Sequence, residues 1–235
     1  MIAIIDYDAG NLKSVEKALL SLGAEPVVTR DRETILSADH IILPGVGAFG
    51  DAMNKLKSYG LVPVIWEAVK RQIPFLGICL GLQLLFESSE ESPGVEGLGI
   101  LKGKILRIPD CEGLKIPHMG WNSLTYPNSG RLFQGIPENT YVYFVHSYYL
   151  KAEDPQIVTA ATHYSTEIHA SVEMENVFAC QFHPEKSSGW GLKILENFIH
   201  TGVAFGKEGS GEDRCRKDER NDGNDPVIPG GKGEK

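Results

Sequence analysis

Pro74-Phe75-Leu76-Gly77-Ile78-Cys79-Leu80-Gly81-Leu82-Gln83 opens as an apolar run and continues as an apolar helix, with a cysteine at the junction. Residues 74–78 read as a central strand that runs straight into Cys79. The pattern Gly77-x-Cys79-x-Gly81 between strand and helix is the cysteine form of a nucleophile elbow. The turn is so sharp that side chains at its flanks would collide, which is why glycine stands there. The thiol then projects above the carboxyl ends of the strands, where open α/β sheets bind ligands. The helix N-terminus beneath it favours thiolate over thiol. Gln83 lies one turn further on and faces the same side. A buried core cysteine between two packing glycines would present the same residues, so a base elsewhere in the chain has to decide.

Working toward the N-terminus, strand and helix alternate. Residues 2–6 form an apolar run that suits a buried parallel strand. Asn11 is placed to cap a helix whose Leu12, Val15, Leu19 and Leu22 share one face, and Gly23 closes it. Residues 26–29 and 40–43 are two further short strands, the second ending in Pro44-Gly45-Val46-Gly47. Asp51 is positioned to cap a helix, and Leu61, Val64, Ile65, Ala68 and Val69 mark the apolar face of another. Strands separated by helices of this length imply a doubly wound, mostly parallel α/β sheet with helices on both faces. Working the other way, residues 100–108, 141–149, 157–162, 168–174 and 177–182 read as strands with short connections, which predicts an antiparallel extension. One last helix around 190–200 puts Leu192, Leu195, Phe198 and Ile199 on one side.

Residues 1–203 therefore read as one α/β domain, of a size that buries a full core. From Lys207 the composition turns to Gly, Lys, Arg, Asp and Glu, too polar to offset ordering entropy, so the tail 207–235 is expected to be disordered. A net charge of -8 and 23 % charged residues fit a globular protein and argue against nucleic acid as the main partner. No apolar run approaches the ~20 residues of a bilayer span, and Met1-Ile2-Ala3 has no basic lead-in, so a cytoplasmic location is expected. The four cysteines, Cys79, Cys111, Cys180 and Cys215, form no CxxC or CxxH pair. Free thiols are expected, with no metal site.

The deciding base lies in Gln181-Phe182-His183-Pro184-Glu185-Lys186-Ser187. His183 and Glu185 are two apart, so an extended chain points both to one side. Pro184 restrains His183 to extended geometry. A carboxylate beside an imidazole is what a general base and its orienting partner require. On a solvated loop the same tripeptide would carry no chemistry; its coexistence with the elbow favours the catalytic reading. A third segment, Pro44 to Asp51, is glycine-rich at a strand end. It suits backbone N–H groups turned toward an oxyanion. It lacks the spacing and the lysine of nucleotide-binding loops.

Together these segments resemble the class I (triad) glutamine amidotransferases, a flavodoxin-like α/β fold. Pro117-His118-Met119-Gly120-Trp121-Asn122, Tyr143-Phe144-Val145-His146-Ser147-Tyr148-Tyr149 and the opening Ile5-Asp6-Tyr7-Asp8-Ala9-Gly10-Asn11 resemble the glutaminase-subunit family of imidazole glycerol phosphate synthases. The resemblance runs from residue 1 to about 203. This chain carries Asp8 where that family usually has glycine, a residue type that still tolerates positive φ.

The resemblance implies Cys79 as nucleophile, His183 as base and Glu185 as its partner. It implies an oxyanion hole from the Leu80 N–H and the Val46-Gly47 peptide, the latter needing reorientation. It implies that Gly47, Gln83, Ser147 and Tyr148 contact L-glutamine, and that His118, Trp121 and Lys186 face a partner. His146, beside that pair, reads as structural. The partner would be a cyclase subunit with a (β/α)8 barrel, joined in a heterodimer and fed ammonia, with no cofactor. Two other functions remain compatible with the residues alone. One is a stand-alone cysteine hydrolase on the same fold, separable by its preference for peptides over free glutamine. The other is a non-enzymatic binding module, in which Cys79 would not react with a glutamine-mimicking chloroketone.

Overall fold

A computed structural model of the chain describes residues 1–8 and 10–202; the tail expected to be disordered lies outside the described residues. In order, the elements begin β1 (Ile2–Ile5), α1 (Leu12–Ser21), β2 (Pro26–Thr29), α2 (Arg32–Leu36), β3 (His40–Gly45), α3 (Phe49–Ser58), α4 (Leu61–Lys70), β4 (Phe75–Cys79) and α5 (Leu80–Leu84). They continue β5 (Ser88–Ser89), β6 (Gly103–Arg107), β7 (His118–Ser123), β8 (Tyr141–His146), β9 (Tyr148–Ala152), β10 (Val158–Tyr164), β11 (Thr166–Met174), β12 (Val177–Cys180) and α6 (Ser188–Ile199).

The main sheet has seven strands in the order β10-β11-β12-β4-β3-β1-β2. From β12 to β2 every neighbouring pair is parallel, while β10, β11 and β12 pair antiparallel. The doubly wound sheet and its antiparallel extension are both present, on one continuous ladder. Helices cover both faces because β1 and β4 are apolar at every position. Ala3, Ile5 and Phe75 pack on one side with residues of α3 and α4. Ile2, Ile4, Leu76 and Ile78 pack on the other with Val15 and Leu19 of α1 and Ile194, Leu195 and Phe198 of α6. Each fully buried Leu or Ile contributes roughly 1.5–3 kcal/mol, so the central strands dominate the core energetics.

Local expectations needed three corrections. Asn11 does precede α1, with φ 75°, but its side chain makes no capping hydrogen bond to the helix. Asp51 does not cap α3, which starts two residues earlier at Phe49. The first-turn N–H groups of Phe49 and Gly50 instead donate to Glu91 Oε2 at 2.7 Å and Ser92 Oγ at 3.0 Å. A distant loop supplies that cap. The run 141–149, expected as one strand, breaks at Ser147. β8 pairs with β7, and β9 turns away to pair with β6. An apolar run alone does not say where a strand changes partners. Asp8 takes φ 60°, and its carboxylate accepts from Arg30 Nη2 at 2.8 Å and from Tyr59 Oη.

Candidate active site

The elbow comes first because β4 ends inside it. Cys79 sits at φ 55° and ψ -107°, a left-side conformation that a non-glycine residue adopts only when its surroundings force it. The surroundings do. A Cβ on Gly81 would lie 1.8 Å from the Leu43 carbonyl oxygen, and one on Gly77 would lie 2.7 Å from the Gly81 oxygen. β3, β4 and α5 are packed too closely at this point for any side chain. Cys79 is 6 % exposed, so its sulfur is sheltered yet opens on the cavity above the strand ends.

His183 follows β12 and is pinned by its backbone. Its N–H donates to the Tyr143 oxygen at 2.9 Å, and its own carbonyl accepts from Ser187 Oγ at 2.7 Å. Pro184 starts a short 3-10 turn, Pro184–Lys186, that swings Glu185 beneath the ring. His183 Nδ1 donates to Glu185 Oε1 at 2.7 Å, with side-chain exposures of 1 % and 0 %. Burial by itself would lower the histidine pKa. The adjoining Cys79 and Glu185 outweigh it and raise His183 to about 9, so they favour the imidazolium. The bond to Glu185 assigns the proton to Nδ1 and turns Nε2 toward the elbow. Nε2 is buried and makes no hydrogen bond in this structure. Catalytic contacts of this kind commonly close only when substrate is bound.

One cavity of about 330 Å³ brings together Cys79, His183, Val46, Gly47, Leu80, Gln83, Ser147 and Tyr148. All the residues expected at the oxyanion and glutamine positions therefore line one space, at the small end of ligand-site volumes. Glu185 stands behind His183. Gly47 has φ 102° and nothing within 4 Å of where a Cβ would be, and Val46 beside it is 40 % exposed. Gln83 Nε2 donates to the Tyr148 oxygen at 3.1 Å and to Gln181 Oε1 at 3.2 Å. Ser147 and Tyr148 lie at the break between β8 and β9.

Sequence reading missed two residues here. Glu91 lines the cavity and is its one carboxylate among the described lining residues; only its role in capping α3 positions it. Gln181 is fully buried, and its Nε2 reaches the Cys79 sulfur at 3.7 Å. Its adjacency to the His183 motif was the only signal available.

The three expected partner-facing residues divide. Trp121 is 50 % exposed, and Lys186 is exposed. His118 differs in exposure: at 3 % it is buried and stacked on Tyr164 with ring centres 4.0 Å apart. Its Nδ1 lies 3.0 Å from His146 Nε2, and His146 Nδ1 donates to the Tyr148 oxygen at 2.9 Å. Because that carbonyl can only accept, the protons are ordered: His146 carries its proton on Nδ1, and His118 donates from Nδ1 to His146 Nε2. Burial lowers His118 to about 4 and His146 to about 3, so both are neutral at pH 7. His118 thus supports the cavity wall from inside.

A thiol on a strained strand-to-helix elbow, facing an imidazole backed by a buried carboxylate, is the equipment of an acyl-transferring cysteine enzyme. The family model "Glutamine amidotransferase class-I" matches residues 3–201, and the chain belongs to that family. Within it, the chain belongs with the subunits named "Imidazole glycerol phosphate synthase subunit HisH". The protein of that name from Moorella thermoacetica is 53 % identical over 197 residues, covering 84 % of this chain and 93 % of that protein. The one from Methanocaldococcus jannaschii is 50 % identical over 199 residues, covering 85 % and 98 %. Among solved structures, one titled "Crystal structure of glutamine amidotransferase" aligns with a TM-score of 0.66 at 20 % identity, covering 85 % of this chain and all of that one. "Structure of PurLQS from Thermotoga maritima" aligns at 0.65 and 23 % identity, covering 85 % and 97 %. At such identities the structures speak for the fold alone. No helix among the described residues is long and apolar enough to cross a membrane.

Proposed function

We propose that the chain is the glutaminase subunit of an imidazole glycerol phosphate synthase, hydrolysing L-glutamine to glutamate and ammonia in histidine biosynthesis. One observation carries the reading: the elbow thiol and the imidazole of the buried His183–Glu185 pair share a single cavity of about 330 Å³. With the Cys79 proton already resting on His183 Nε2, the sulfur attacks the side-chain amide carbon. The oxyanion is held by the Leu80 N–H and, once turned inward, by a peptide N–H of the Val46-Gly47 loop. The imidazolium returns the proton to the departing nitrogen, ammonia leaves, and a glutamyl thioester remains on Cys79. His183 then takes a proton from water, which cleaves the thioester and frees glutamate. Glu185 holds the ring and offsets its positive charge throughout. Glu91 supplies the negative charge that a glutamine α-ammonium needs, and Gln83, Ser147 and Tyr148 frame the rest of the amino-acid end.

Ammonia is useful only if it meets an acceptor before protonation and escape. The reading therefore includes a heterodimer with a cyclase subunit of (β/α)8 barrel fold, in the cytoplasm. Trp121 and Lys186 would meet the partner, and His118 lies buried on the same strand as Trp121. Turning the Val46-Gly47 peptide is the step the partner would control. An oxyanion hole short of one donor raises the barrier by about 2.7–4 kcal/mol, or two to three powers of ten in rate. The deciding experiment mixes the Cys79→Ala chain with the cyclase subunit. Glutamine-dependent synthesis should vanish while synthesis from added ammonia continues. Persistence of glutamine-dependent turnover would remove Cys79 as the nucleophile.

A further inference from the structure

The Glu185 carboxylate has no exposed side-chain surface, and a charge so buried depends on its hydrogen-bond donors. Among the described residues it has two. Oε1 accepts from His183 Nδ1 at 2.7 Å and from Asn11 Nδ2 at 2.6 Å, while Oε2 is buried without a partner. Asn11 lies 174 positions away in the chain. It holds the residue slot before α1 where a side chain normally bonds the first N–H groups of the helix, yet it makes no such bond. Helix capping therefore does not account for its amide. α1 and the Pro184–Lys186 turn are in contact, and the Asn11 bond places the N-terminus of the helix beside the carboxylate.

The geometry points to Asn11 as a positioning residue of the glutaminase, whose amide N–H holds the Glu185 carboxylate against His183 Nδ1. The inference rests on the glutaminase reading. Asn11 acts through Glu185 and His183 and touches neither substrate nor sulfur. The titratable groups around that carboxylate are His183 on its own turn, Cys180 from β12, Cys79 from the elbow and, beyond His183, His146 from β8.

Aspartate separates this role from a structural one. It matches asparagine in size, caps helices equally well and tolerates the left-handed backbone, but when ionised it cannot donate. When protonated it can. Asn11→Asp should therefore lose activity progressively as rising pH ionises the introduced carboxyl. Glycine keeps the φ of 75° and removes only the amide.

The test measures glutamine hydrolysis by the full chain with its cyclase subunit between roughly pH 6 and 9, with a thermal melt of each variant. For Asn11→Asp, kcat should fall about 10- to 100-fold at the alkaline end and recover toward the acid end, with KM changed less than about twofold. Asn11→Gly should lose about tenfold in kcat with little pH dependence and a near-native melt. If Asn11→Asp does not fold, Asn11→Gly decides alone. A kcat equal to wild type in Asn11→Gly, or an Asn11→Asp deficit independent of pH, overturns the inference and leaves the glutaminase reading standing. A wild-type complex that releases no ammonia from glutamine overturns both.

Discussion

Two glycine-bearing loops stand side by side on the carboxyl edge of the sheet, and Gly47 in one is required for a different reason from Gly77 and Gly81 in the other. At the elbow, Gly77 and Gly81 are required by crowding, since a Cβ would meet backbone atoms at 2.7 Å and 1.8 Å. In the neighbouring loop, Gly47 stands in open space and is required only by its φ of 102°. Packing leaves the first loop one conformation, whereas the space beside Gly47 is open. The nucleophile side of the site is thus built in advance. On the proposed mechanism, the Gly47 side is where a partner would act.

Substitutions at the two loops should separate these roles. Gly81→Ala forces β3 and α5 apart, and a stability loss of more than about 4 kcal/mol is expected, read as loss of soluble, cooperatively melting protein. Normal folding of that variant would break the comparison. Gly47→Ala should fold, with about 1–2 kcal/mol lost to backbone strain. Its glutamine turnover in the complex should fall about 10²- to 10³-fold, because the peptide no longer turns freely to the oxyanion. A Gly47→Ala enzyme with wild-type kcat would mean that the loop plays no part.

The packed side should also reveal itself through pH. His183 is raised to about 9 in the folded chain, against about 6.5 when unfolded. A raised histidine contributes stability that is fully present below the unfolded value and disappears as pH climbs through the folded one. Roughly 2–3 kcal/mol should be lost between about pH 6.5 and 9, measured by denaturant titration, and His183→Asn should flatten that slope. An unchanged slope in the variant would assign the pH dependence elsewhere. The smallest effect is expected at Glu91→Gln, which keeps an acceptor for the Phe49 N–H but removes the charge. KM for glutamine should rise about tenfold with kcat nearly unchanged. A fall in kcat with KM intact would place Glu91 outside amino-group recognition.

What could be read in advance followed from range. β1, β3 and β4 are apolar at almost every position and announce burial on both faces. The elbow is written in five consecutive residues, and His183 and Glu185 are two apart, so their pairing is local, although a 3-10 turn rather than the expected extended chain brings them together. The break at Ser147 was not legible, because residues 141–149 favour extended structure throughout and only the competing pairings with β7 and β6 divide them. Asp51 was misjudged for a related reason. The donors at the start of α3 meet Glu91 and Ser92, some 42 positions away, and no window along the chain contains both.

By itself the sequence determined the alternation of strand and helix, the need for glycine around Cys79, and the pairing of imidazole with carboxylate, since each depends on torsion or spacing between near neighbours. Only the tertiary structure decided that Asn11 serves Glu185 rather than its own helix, that His118 is buried against His146, and that Glu91 enters the cavity. Those choices are made where donors and acceptors compete for partners across the fold, and the winner is set by which groups burial brings within about 3 Å of one another.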